Sequence, residues 1–203
     1  MTRYFSGILA MAATVVASNI LVQHQLGNWL TWGAISYPIA FLVTDVMNRV
    51  YGPAAARRVV LAGFVIGVIC SLIAAGMQAT TLRIAIASGA AFLCAQLLDV
   101  AVFDRLRAGS WWRAPLASTL IGSAVDTVLF FSLAFAAGLG FINPADDVAW
   151  ANEILPLVGI GPDVPLWASL AFADWLVKLA LAILALVPFR IFVNNLLSKT
   201  QEF

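Results

Sequence analysis

Six stretches of this chain, at about 5–23, 31–48, 58–78, 83–103, 115–139 and 166–189, are apolar over nearly their whole length. About 20 such residues make a helix long enough to cross the hydrocarbon core of a bilayer. Composition agrees: of 203 residues, 63% are hydrophobic and 10% charged, where a soluble domain averages about a quarter charged. Too little polar material remains to coat a water-exposed surface, so lipid is the solvent for most of the chain. The expected fold is an all-α integral membrane protein, one domain over 1–203, built as a bundle of six transmembrane helices. The first run, with Arg3 before it, resembles a signal peptide. Five further spans follow, which makes a retained first helix the more economical reading.

Residues 140–165 carry Pro144, Pro156, Pro162 and Pro165 among Asp146, Asp147, Glu153 and Asp163. This segment reads as a loop, with a short interfacial helix expected around "AWANEILPLVG" (149–159). Net charge is +1, which gives no basic surface for nucleic acid. Cys70 and Cys94 lie inside apolar runs without CxxC or Cys/His spacing, so they read as reduced, lipid-buried side chains rather than a disulfide or metal site. No catalytic group, metal or cofactor is expected.

Basic residues set the orientation. Arg3, the Arg49/Arg57/Arg58 group, the Arg105/Arg107/Arg113 group, and Arg190 with Lys199 all flank one side of a six-span bundle. The opposite loops, 24–30 and 140–165, hold no Lys or Arg. Positive charge stays inside, so both termini are expected in the cytoplasm of a bacterium, with the chain in its inner membrane. Arg83 and Lys178 escape this pattern.

Depth then separates the remaining polar groups. At about 1.5 Å per residue, Asp174 lies roughly 12 Å and Lys178 roughly 18 Å into the sixth span, and Asp126 about 16 Å into the fifth. Gln96 falls in the inner half of the fourth span with Asp99 below it, and Asn19 in the outer half of the first. Each central charge costs about 2.5–3.5 kcal/mol to insert, so such groups need a protein-lined or wet interior. Asp174 and Lys178 are one turn apart and suit an ion pair. Asp45 and Arg49 have the same spacing near the inner boundary, where a structural pair is the expected reading. Asp99 and Asp104 read as solvated near the headgroups, and Arg105, Arg107 and Arg113 as topology determinants. Asp126 has no opposite charge within one turn, which marks it as a functional candidate.

Several segments resemble the queuosine precursor transporter family, also called the VUT family of vitamin uptake transporters. They are "ASNILVQ" (17–23), "YPIAFLVTDVMNRVYG" (37–52), "RIAIASGAAFLCAQLLDVAVFDRLR" (83–107) and "WWRAPLASTLIGSAVDTVLFF" (111–131), in the family's order. Ser123 departs from that pattern, where an amide is common. The resemblance implies import of deazaguanine bases for queuosine in transfer RNA, chiefly 7-cyano-7-deazaguanine and secondarily the 7-aminomethyl form. The residue chemistry suits such a base. One carboxylate accepts its N1–H and exocyclic amine as parallel donors. Lys178, Arg83, Asn19 or Gln96 can donate to its acceptors. Trp175, Phe130, Phe131, Trp32 and Tyr37 are available to stack on it. The expected substrate site is therefore Asn19, Arg83, Gln96, Asp126, Asp174 and Lys178, around a cavity shared by spans one, four, five and six, while Asp45, Arg49, Asp99 and Arg105 serve structure or topology.

Two other readings remain open. With short loops and no GxxxxGK[ST], the chain has no room for its own ATPase, and its size also fits the membrane subunit of an energy-coupling-factor system. An intramembrane aspartate enzyme would use a shared-proton dyad, but no GxGD, HExxH or GxSxG motif occurs and the one histidine, His24, is in an outer loop. Small-residue surfaces such as "GFVIGVICSLIAAG" (63–76) suit packing within one subunit or in a homodimer.

Overall fold

The computed structural model describes residues 4–22, 24–26 and 30–201; Arg3 and the side chain of Lys199, both invoked for topology, lie outside that set. The described chain forms seven α-helices: α1 Phe5–Leu21, α2 Gly33–Ser36, α3 Ile39–Tyr51, α4 Pro53–Gly76, α5 Leu82–Leu106, α6 Arg113–Phe135 and α7 Leu166–Gln201. Four of them, α4 to α7, are long and apolar enough to cross a membrane, and α1 is a shorter apolar helix of 17 residues. The second expected span, 31–48, is not one helix. Pro38 has no N–H to continue the ladder, so α2 stops at Ser36 and α3 starts at Ile39. Tyr37 and Pro38 keep right-handed helical dihedrals, so the chain holds its direction across the interruption.

Burial is inverted relative to a soluble protein. Large apolar residues such as Leu9, Ile20, Leu61, Ile69, Val128 and Leu184 face outward, while Thr44, Asp45, Asn48, Gln96, Asp99 and Lys178 are buried. Water would penalise both halves of that arrangement; lipid rewards the first and demands the second. This is a multi-pass, all-α membrane protein.

Close contact between small residues sets the packing. Ala87, Ala91 and Ala95 recur every fourth residue on α5 and are buried, the spacing that lets two helices approach closely in lipid. On α6, a Cβ at Gly122 would lie 3.3 Å from the Ala95 carbonyl and 2.9 Å from the Phe41 ring. The α5–α6 contact is the most extensive in the fold. A second cluster, Met11, Val15, Met47, Val59, Val60 and Phe92, joins α1, α3, α4 and α5. Between α3 and α4 the chain reverses at Gly52, whose φ of 86° favours glycine, and Pro53 then opens α4 at its first turn.

The basic flanks gather at one end. Arg49 donates to the Arg107 and Trp111 carbonyls at 2.7 and 3.4 Å, Arg58 to the Tyr4 hydroxyl at 2.6 Å, and Arg190 lies over the Trp111 ring. At the other end, the loop after α6 does not form the expected interfacial helix. It has a short 3-10 turn at Trp150–Asn152, then antiparallel strands β3 (Ile154–Pro156) and β4 (Asp163–Pro165). Proline at 156 and 165 favours extended backbone. A smaller ladder pairs β1 (Gln25–Leu26) with β2 (Leu30–Thr31).

Candidate functional site

The interruption at Tyr37–Pro38 faces the middle of α6 and α7, and a charged cluster forms there. Asp126 on α6 is 3% exposed and Lys178 on α7 is 4% exposed. The Lys178 ammonium lies 2.8 Å from Asp126 Oδ2 and 2.5 Å from Asp174 Oδ2, and donates also to Thr127 Oγ1 at 3.0 Å. The Thr127 hydroxyl donates in turn to Asp174 Oδ2 at 3.0 Å. Tyr37 donates to Asp126 Oδ1 at 3.1 Å, and its ring lies 5.6 Å from the ammonium. One cation thus faces two carboxylates, and the group keeps a surplus negative charge when all three are ionised.

Three of the six expected substrate residues, Asp126, Asp174 and Lys178, meet in this cluster. The other three lie elsewhere. Arg83, 1% exposed, donates to the Leu133 and Ala136 carbonyls at 2.7 and 2.6 Å. The Leu133 carbonyl is one that the end of α6 leaves without a helical partner, the Ala136 carbonyl also accepts from the Leu139 N–H at 3.1 Å, and Asn152 takes the Phe135 carbonyl at 2.9 Å. Here Arg83 closes a helix end. Gln96 accepts from Thr44 at 2.6 Å, nearer the basic end. Asn19 donates to the Val15 carbonyl and accepts from Ser71 at 3.3 Å, beside a crevice between α1, α4 and α5 that Tyr37 also lines. That crevice has about 20 Å³ of free space, enough for about one water and too small for a two-ring base in this conformation.

Two structural expectations need correction. Asp45 and Arg49 form no ion pair: Arg49 extends past the end of α3 to loop carbonyls, while Asp45 accepts from Ser118 and Thr119 on α6 at 3.1 and 3.2 Å. Asp99 is not solvated; it is 0% exposed. Arg105 is exposed at the end of α5. Sequence reasoning named Tyr37 only as a stacking ring and passed over Thr127, Ser118 and Thr119. Hydroxyls are unremarkable in membrane helices, and only the positions of α3 and α7 show what they serve. Ser123 donates to the Leu120 carbonyl of its own helix at 3.2 Å.

Residues 31–193 match the family described as "Putative vitamin uptake transporter". Among curated proteins, the chain is 35% identical to the "Probable queuosine precursor transporter" of Haemophilus influenzae, over 84% of this chain and 72% of that protein. It is 32% identical to the "Queuosine precursor transporter" of Escherichia coli, over 93% and 85%, and 28% identical to the "Probable queuosine precursor transporter" of Bacillus subtilis, over 86% and 77%. No solved structure matches it.

Proposed function

This chain belongs to the queuosine precursor transporter family, a family of membrane transporters rather than enzymes, and from that premise we propose that it imports deazaguanine precursors of queuosine across the bacterial inner membrane. The preferred cargo is 7-cyano-7-deazaguanine, with the 7-aminomethyl form second. The chain crosses six times, the interrupted α2–α3 pair counting as one crossing, with both termini cytoplasmic.

The observation that carries the reading is the sharing of one ammonium between two carboxylates on α6 and α7. Lys178 can keep Asp174 and give up Asp126 without leaving the cluster. The freed Asp126 carboxylate then accepts the N1–H and exocyclic amine of the base as a bidentate pair. Tyr37, released from Asp126, offers a ring face for stacking at the crevice between α1, α4 and α5. A neutral base replaces an ammonium contact with two hydrogen bonds, so no new charge is buried. Carriers often place substrate at an interrupted helix near the bilayer midplane, and Tyr37–Pro38 is such an interruption.

The test is uptake by a precursor-auxotrophic strain, comparing 7-cyano-7-deazaguanine, 7-aminomethyl-7-deazaguanine and guanine. We expect the cyano form to be taken up best, and Asp126→Ala to abolish uptake while the protein still inserts. Normal uptake by that variant would remove Asp126 from the site, and equal uptake of guanine would remove the substrate assignment.

A further inference from the structure

A second buried group of acids lies nearer the basic end, between α3, α5 and α6, and the charged cluster at Lys178 does not use it. Asp45 is 3% exposed and Asp99 0%. Both Asp45 oxygens accept a hydroxyl, from Ser118 and Thr119. Neither Asp99 oxygen receives a hydrogen bond, although the side chains of Asp45 and Ser118 face it. Gly122 brings α6 so close that a Cβ there would lie 3.3 Å from the Asp99 Cβ. Asp45 and Asp99 therefore meet α6 one turn apart, Asp45 at Ser118 and Asp99 at Gly122.

Among the described residues no cation forms an ion pair with either acid, although Arg49 lies one turn from Asp45 and senses its charge. On α3, Arg49 is committed to the Arg107 and Trp111 carbonyls. On α5, Arg107 pairs with Asp104 at 3.2 Å, and Arg105 is exposed. Arg113 at the start of α6 lies over Trp112, and Arg190 of α7 over Trp111. The α7 wall nearest Asp45 is apolar, with Ala182, Ala185 and Phe189. Two more fully buried polar atoms in the same α3–α5 seam lack partners: Gln96 Nε2, one turn from Asp99, and Asn48 Oδ1, one turn from Asp45. Thr44, beside Asp45, holds the Gln96 carbonyl, and Asn48 donates to the Val100 carbonyl, next to Asp99. Asp45 also borders a crevice of about 20 Å³, room for about one water.

Two neighbouring carboxylates with no ion-paired cation do not both stay ionised in a buried site; they share a proton. We propose that Asp45 and Asp99 bind one exchangeable proton between them, and that its uptake and release couple base transport to the proton gradient. Bound, the proton lets Asp45 donate to the acceptor-only Asp99, and the pair carries one negative charge in place of two. Released, it passes into the crevice that Asp45 borders, which has room for about one water. The coupling half rests on the carrier reading above; the proton-binding half does not.

Infrared difference spectra of the full chain in lipid vesicles, recorded between acidic and alkaline pH, test the pair directly. A protonated-carboxyl band should fade as pH rises, be absent from Asp99→Asn, and persist in Asp104→Asn. Absence of the band from the unaltered protein, or its persistence in Asp99→Asn, would overturn the proposal. Should Asp99→Asn fail to fold, Asp99→Glu should fold and shift the band. For coupling, vesicles with an acid exterior should accumulate 7-cyano-7-deazaguanine above its outside concentration. With Asp99→Asn the inside-to-outside ratio should fall to about one, while exchange of labelled for unlabelled base continues. Accumulation driven equally by a sodium gradient at constant pH would overturn proton coupling. Absence of exchange in the unaltered protein would instead sink the carrier reading, and the infrared result would still decide the proton pair.

Discussion

An ammonium 2.8 Å from one carboxylate and 2.5 Å from another has two partners but cancels one charge, so the three residues are not equivalent. Spacing along the chain pairs Lys178 with Asp174 and suggests that removing both would restore the balance. Asp126 changes that arithmetic, because the double deletion strands it on α6. Lys178→Met should lower stability by about 3–5 kcal/mol, the usual loss when a buried pair is broken from one side. Asp174→Asn removes the surplus charge and leaves a one-to-one pair with Asp126, so it should unfold at or above the temperature of the unaltered protein. Thermal unfolding in detergent compares them; equal losses for the two variants would mean that Asp174 is the true partner of Lys178. The contact between residues 126 and 178 was not legible in the sequence, since no periodicity links positions on different helices. The depth of both was legible, and depth alone marked them as needing partners.

At the scale of elements, long apolar runs announced α4 to α7 because length and composition suffice to recognise a spanning helix. The same criterion merged α2 with α3, since Pro38 sits in an apolar run and leaves the direction of the chain unchanged. In the loop read from the sequence, the short helix expected at 149–159 gives way to Asn152 closing the end of α6 and to β3 pairing with β4. Packing between helices was less visible still. Gly122 gave no sequence signal, yet a side chain there meets the Ala95 carbonyl, which is backbone and cannot swing away. Gly122→Val should therefore cost about 1–3 kcal/mol as an overpacked contact. Gly76→Ala, with nothing within 4 Å, should be neutral within about 0.5 kcal/mol. Detergent unfolding midpoints decide it, and a Gly122→Val protein as stable as Gly76→Ala would refute the close approach.

For the whole molecule, the two basic residues that broke the charge asymmetry in the sequence have structural occupations away from the basic end. Arg83 closes α6, and Lys178 answers two acids. With both accounted for, Arg49, Arg57, Arg58, Arg105, Arg107, Arg113 and Arg190 should face the cytoplasm. A reporter active only in the cytoplasm, fused after the last residue, should be functional, and one active only outside should be silent. The reverse pattern would invert the bundle and place the Asp45–Asp99 pair toward the exterior.

Arg83 has one more consequence, and it is mechanical. Its guanidinium rivets the start of α5 to the end of α6, and the Gly122–Ala95 contact holds the same two helices at mid-length. Fastened at two heights, α5 and α6 form a girder that can tilt only as a unit. What joins this girder to α7 at the depth of Asp126 is a clasp of one ammonium and one hydroxyl, with the Tyr37 phenol closing on Asp126 from the α2–α3 interruption. On the carrier reading proposed above, motion is expected at the α6–α7 seam, with Arg83 keeping α5 and α6 together.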